Sequence, residues 1–182
     1  MISTALPGGS LPEKGADLPT GPSKPAMMAA VKRLLDFIKG KPLDKNLEAL
    51  LNEHYGAGTP GYAELLKLLR KGGEEGWAFY AEITGPDYRR GRIAAPSGET
   101  HGLSVESGLL TNVKGNYHRH PHGEINMIGP VDATGQFCGH GAGWKVFPPE
   151  SRHYPTVTGG AVTMLFFLPN GEIEYISPPT AS

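Results

Sequence analysis

The segment Tyr117-His-Arg-His-Pro-His-Gly-Glu-Ile-Asn126 concentrates residue types that bind metals. His118 and His120 are two positions apart, so on a strand both point to one face. Pro121 and Gly123 then allow a sharp change of direction, and Glu124 opens the next strand close to the pair. Two imidazoles and a carboxylate converging on one point form the ligand set of a divalent transition-metal centre with open positions. A fourth ligand should come from a later strand. His153 is the best placed, because it follows Phe147-Pro-Pro-Glu-Ser-Arg and opens an apolar strand. His122, in the turn, and His140, in a glycine-rich loop, are the alternatives. The ligand set reads as His118, His120, Glu124 and His153, and the same four residues are the candidate catalytic groups. It suits Fe, Mn, Zn, Ni or Co equally.

Residues that could line such a site are sparser. Tyr117 and Trp144 offer aromatic walls, and Asn126 shares the face of Glu124. Arg92 lies on a short strand, Arg90-Gly-Arg92-Ile-Ala94, on the face of Ala94. Arg119 and Arg152 should alternate away from the histidines beside them. His101 is a weaker candidate for a place behind the ligands. Cys138 has no base fixed beside it in sequence and reads as a small buried hydrophobe.

These residues need a scaffold. The period of the apolar residues changes near Trp77. Before it, three helices are predicted, at about 26–39, 45–55 and 59–71, each with one apolar stripe. Asp44 and Thr59 are their caps, Pro60 starts the third helix, and Gly40, Gly56 and Gly72-Gly73 are the stops. After Trp77, short segments of period two alternate with Gly, Pro, Asn and Asp, the pattern of a sandwich or barrel. The expected division is a flexible tail over 1–25, a helical subdomain over 26–73 and a β-barrel over 74–178. The fold class is mainly β.

Composition narrows the partners. The 182 residues carry 17 Lys and Arg against 18 Asp and Glu, a balance that argues against nucleic acid and against a basic membrane face. The longest apolar run, Val162 to Leu168, is too short to span a membrane. One cysteine permits no internal disulfide, which fits a cytoplasmic setting. No nucleotide-binding glycine motif follows a strand, so no nucleotide cofactor is expected. Exposed sheet edges suggest a homo-oligomer.

The pattern His118-x-His120-x-x-x-Glu124 resembles the first cupin motif, and Gly143-Trp-Lys-Val-Phe-Pro-Pro-Glu-Ser-Arg-His153 resembles the second. The resemblance implies a double-stranded β-helix, a jelly-roll barrel with one metal held by those four residues. Two departures stand out: Gly115 is too close to His118 for the first motif's leading glycine, and Ser151 sits near a usual glycine. A narrower set is similar to the 4-hydroxylaminobenzoate lyase family over about 27–176. It comprises Glu75-Gly-Trp77, Tyr88-x-x-Gly91-Arg92, Thr100-His-Gly-Leu-Ser-Val105, His120-Pro-x-Gly-Glu-Ile125, Gly141-Ala-Gly-Trp144 and Tyr154-Pro-Thr-Val157.

That resemblance implies conversion of 4-hydroxylaminobenzoate to 3,4-dihydroxybenzoate (protocatechuate) and ammonia in nitroaromatic degradation. A small aromatic acid as substrate calls for a cationic anchor, and Arg92 is the choice. The rival expectations are another metal-dependent cupin enzyme, such as a dioxygenase on an aromatic acid, and a non-catalytic small-molecule-binding cupin.

Overall fold

The computed structural model describes residues 17–180. The expected tail over 1–25 lies outside the described residues up to position 16. From there the chain is held: the backbone N–H and hydroxyl of Ser23 both donate to Glu75 Oε1 at 2.9 Å.

Three helices come first: α1 (Lys24–Ile38), α2 (Lys45–His54) and α3 (Pro60–Glu75). Asp44 caps α2 by accepting from Leu47 N–H, and Thr59 caps α3 by accepting from Tyr62 N–H, as their positions predict. The expected stop at Gly72-Gly73 is wrong. The helix runs on to Glu75 and ends at Gly76, whose φ of 86° is left-handed. Gly72 is there for packing: a Cβ on it would lie 2.6 Å from the Trp77 ring. The stripe of α1 (Met27, Val31, Leu34, Leu35 and Ile38) is fully buried. Each such side chain contributes about 1.5–3 kcal/mol, so tertiary burial rather than propensity holds the helix.

Eleven strands follow among the described residues: β1 (Ala81–Glu82), β2 (Tyr88–Ala94), β3 (Leu103–Thr111), β4 (His118–His120), β5 (Glu124–Pro130), β6 (Gln136–Phe137), β7 (Gly143–Phe147), β8 (Ser151–His153), β9 (Val157–Thr158), β10 (Ala161–Pro169) and β11 (Glu174–Tyr175). The large sheet has the order β1-β2-β3-β10-β5-β7, a second runs β11-β4-β8, and β6 pairs with β9. From β3 onward the chain leaves the large sheet and returns to it again and again: β3, β5, β7 and β10 belong to it, and the strands between do not. That winding is the jelly-roll barrel, with the helices as a subdomain on its outer face.

The period of two sorts the large sheet into two cores. On β10, Val162, Met164, Phe166 and Leu168 face the barrel interior, while Leu165 and Phe167 face the helices. β7 is the sheet's edge, and α2 covers it. Asn52 accepts from Trp144 N–H and donates to Trp144 C=O, and Glu48 accepts from Val146 N–H. Helix side chains thus stand in for a neighbouring strand.

β3 runs without a break through Gly108, opposite Met164. One strand expectation changes. The expected strand from His153 to Val157 splits into β8 and β9, with Pro155 between them. His153 therefore ends a strand instead of opening one.

Candidate metal centre and active-site cavity

β4 is three residues long and pairs on both sides, with β11 and with β8. Its register sets His118 directly opposite His153. His118 and His120 turn into the barrel while Arg119 turns out, where it pairs with Glu150 and Glu174. The three imidazoles meet there. His118 Nε2 is 2.9 Å from His120 Nε2, which is 3.0 Å from His153 Nε2. Glu124 enters from β5, with Oε1 3.5 Å from His120 Nε2.

Proton positions decide what this cluster can do. His118 Nδ1 lies 3.0 Å from the carbonyl of Asn116, so Nδ1 carries the proton and Nε2 presents a lone pair. Cys138 Sγ lies 3.5 Å from His153 Nδ1 and 3.6 Å from the Tyr154 carbonyl. The thiol donates to that carbonyl, and its sulfur accepts from His153 Nδ1–H. His153 Nε2 is then also a lone pair. His120 Nδ1 is buried without a partner.

Burial, reinforced by the neighbouring imidazoles, pushes His118 down to about 2. Burial and then the charge of Arg90 bring His120 to about 3, and burial brings His153 to about 4. All three are neutral at pH 7, the form that ligates a metal. Glu124 moves the other way, its carboxyl pushed up by burial.

The donor set fits a divalent metal. His118 and His153 each aim an Nε2 lone pair toward Nε2 of His120. Imidazole nitrogens bound at about 2.1 Å and at right angles would be about 3.0 Å apart. The two measured separations match that spacing. His118, His120 and His153 form the compact triad; Glu124, the fourth residue of the expected set, stands outside that triad with Oε1 3.5 Å from His120 Nε2.

His118 and His153 of the triad open into a small cavity of ≈ 30 Å³. Asn126 and Glu124 line it together, as their shared face predicts. Trp144 does not. It faces the helices, 3% exposed, and its indole N–H donates to the Tyr55 carbonyl. Tyr117 alternates away from His118 and packs on Tyr154 at 4.8 Å between ring centroids. Arg92 is absent from the lining. Its Nε donates to Glu106 Oε2 at 2.8 Å, and a bulge between Arg92 and Ala94 removes Ala94 from its face. Arg90, two residues earlier, lines the cavity instead.

The remaining histidines lie elsewhere. His122 and His140 are exposed, His122 beside Glu172. His101 ties to Asp36 of α1 on the outside. Sequence reasoning missed two residues at the site, Arg90 and Cys138. The alternation of Arg90 with Arg92 carried a signal for the first. For the second there was none, since Cys138 reaches His153 through a turn at φ 48°.

The sequence matches the family described as PnbB: 4-hydroxylaminobenzoate lyase over residues 29–175. The chain belongs to the 4-hydroxylaminobenzoate lyase family. Two relatives carry that name. The protein from Nocardioides sp. (strain LMS-CY) is 39% identical over 153 residues, covering 80% of this chain and 90% of the relative. The one from Pseudomonas putida is 39% identical over 159 residues, covering 78% and 90%. Among solved structures, this lyase-family chain is similar to DMSP lyases RdDddP and RnDddQII, at 13% identity and a TM-score of 0.49, covering 85% of this chain and 98% of that one. The jelly-roll description of the family member rests on its own strand order, not on that likeness.

Proposed function

We propose that this protein is a metal-dependent lyase that converts 4-hydroxylaminobenzoate to 3,4-dihydroxybenzoate and ammonia. The observation that carries the reading is the convergence of three neutral imidazoles inside the barrel, with the buried carboxyl of Glu124 beside them, within a chain of this family. Water adds and ammonia leaves, so the atoms balance without oxidant or nicotinamide.

His118, His120 and His153 would hold the metal, with Glu124 as the adjoining carboxylate. A bound divalent metal supplies Lewis acidity, which stabilises negative charge on oxygen as the N–O bond weakens. The chain's own residues do the rest. Glu124, with its raised affinity for a proton, is suited to deliver one to a leaving group and take one back. Asn126 Oδ1 is buried and unpartnered on the same face, free to accept from the hydroxylamino N–H. Phe166, Met164 and Phe137 line the cavity with apolar surface that excludes bulk water around the ring.

No helix among the described residues is long and apolar enough to cross a membrane. The reading also includes a cytoplasmic setting, suited to a single reduced cysteine, and a homo-oligomer, which light scattering tests.

The deciding experiment feeds 4-hydroxylaminobenzoate to purified protein under nitrogen and quantifies both products, before and after chelation, with elemental analysis of the sample. Equal yields of catechol product and ammonia, lost on chelation and restored by metal, are expected. A requirement for dioxygen would establish a ring-cleaving enzyme instead, and no turnover of any kind a binding protein.

A further inference from the structure

We infer that Arg90 is the group that binds the substrate's carboxylate. The inference rests on the lyase reading for the identity of the substrate, but its structural argument is independent of turnover.

Arg90 is a buried cation with too few partners. It is 4% exposed and lines the same cavity as His118, Glu124 and His153. Its Nε is buried with no acceptor. Its Nη1 reaches only the Tyr175 hydroxyl, at 3.4 Å, and its Nη2 stands 3.5 Å from Glu106 Oε1. Glu106 spends its other oxygen on Arg92, at 2.8 Å. Two guanidinium groups thus share Glu106, and neither that carboxylate nor Glu124 places an oxygen within hydrogen-bond reach of Arg90 Nε. A buried charge is costly unless paired and hydrogen-bonded, so the pocket is built for an incoming anion. A guanidinium offers a carboxylate two parallel donors, and the Phe166 ring beneath Arg90, 5.1 Å from Cζ, steadies its plane.

Tyr175 links this cation to the metal-binding side: its ring packs 5.8 Å from the His118 ring between centroids, and its hydroxyl lies 3.4 Å from Arg90 Nη1.

Calorimetry with benzoate, and with benzamide as the neutral molecule of like shape, tests the anchor without any turnover. The wild-type protein should bind benzoate about 10- to 100-fold more tightly, the range set by a charge-assisted pair. Arg90→Gln should erase that preference, and Arg90→Lys should keep only part of it, since it retains charge without the fork. Arg92→Gln should retain the preference, which keeps the test decisive if the Arg90 variants fail to fold. Equal binding of the two ligands by the wild-type protein, or loss of the preference in Arg92→Gln but not in Arg90→Gln, overturns the inference. Selective benzoate binding through Arg90 without conversion of 4-hydroxylaminobenzoate would sink the lyase reading and leave the anchor standing.

Discussion

Cys138 Sγ sits 3.5 Å from Nδ1 of His153, on the side of the ring away from the triad. The thiol also faces the Tyr154 carbonyl, so its proton is committed and its sulfur is left to accept. Partners of this kind hold a ligating imidazole in its tautomer and orientation. Cys138→Val should leave the barrel folded and weaken metal retention about 10-fold, and Cys138→Ser, which keeps an acceptor, should restore most of it. Titration with a competing chelator measures both. Unchanged affinity in Cys138→Val would reduce the contact to ordinary packing.

Removing one imidazole should be far more damaging. His118→Ala and His153→Ala are each expected to lose bound metal by elemental analysis and to lose ammonia release with it. Glu124→Gln separates two roles. If Glu124 moves protons, metal should remain while turnover falls by about 10²-fold or more. If it is chiefly a ligand, metal content should fall in step with activity.

The metal-free protein should lose stability as the medium is made mildly acidic. An unfolded histidine titrates near 6.5, whereas burial holds His118, His120 and His153 at about 2, 3 and 4. As the pH falls through 6.5, the unfolded chain takes up protons that the native chain refuses. The stability is therefore present above 6.5 and drains away below it. Glu124, pushed upward, acts in the opposite direction, but it is one group against three. Urea midpoints at pH 7.5, 6 and 5 after chelation should decrease in that order. A flat series would mean that the imidazoles are not buried neutral.

Gly72→Ala tests why a glycine occupies the interior of α3. Helix propensity alone predicts a gain of about 1 kcal/mol. The new Cβ would instead press within 2.6 Å of the Trp77 ring, which is fully buried and has no room to move. A net loss of about 1–3 kcal/mol is expected, read from thermal or urea unfolding.

Much of this architecture was legible before any coordinates, because local rules govern it. The stripes of α1 and α3, the caps at Asp44 and Thr59 and the switch to period two after Trp77 follow from backbone geometry within a few residues. His118, His120 and Glu124 could be grouped for the same reason: a strand, a turn and a strand in seven residues leave them few other arrangements. The misreadings arose where a distant partner overrode the local signal. Gly72 resembled a helix stop until the Trp77 ring filled the space a side chain would take. Trp144 resembled a pocket wall until α2 claimed its face of β7.

By itself the sequence determined the ligand types, the strand alternation that aims them and the helical cover, since each is a matter of chemistry and short-range sterics. Tertiary structure alone decided which of two neighbouring arginines is left short of partners, and that Cys138 stands behind His153. Those depend on how β2, β3 and β10 pair across long stretches of chain and on how the turn after β6 closes onto β8, and no local pattern records the outcome.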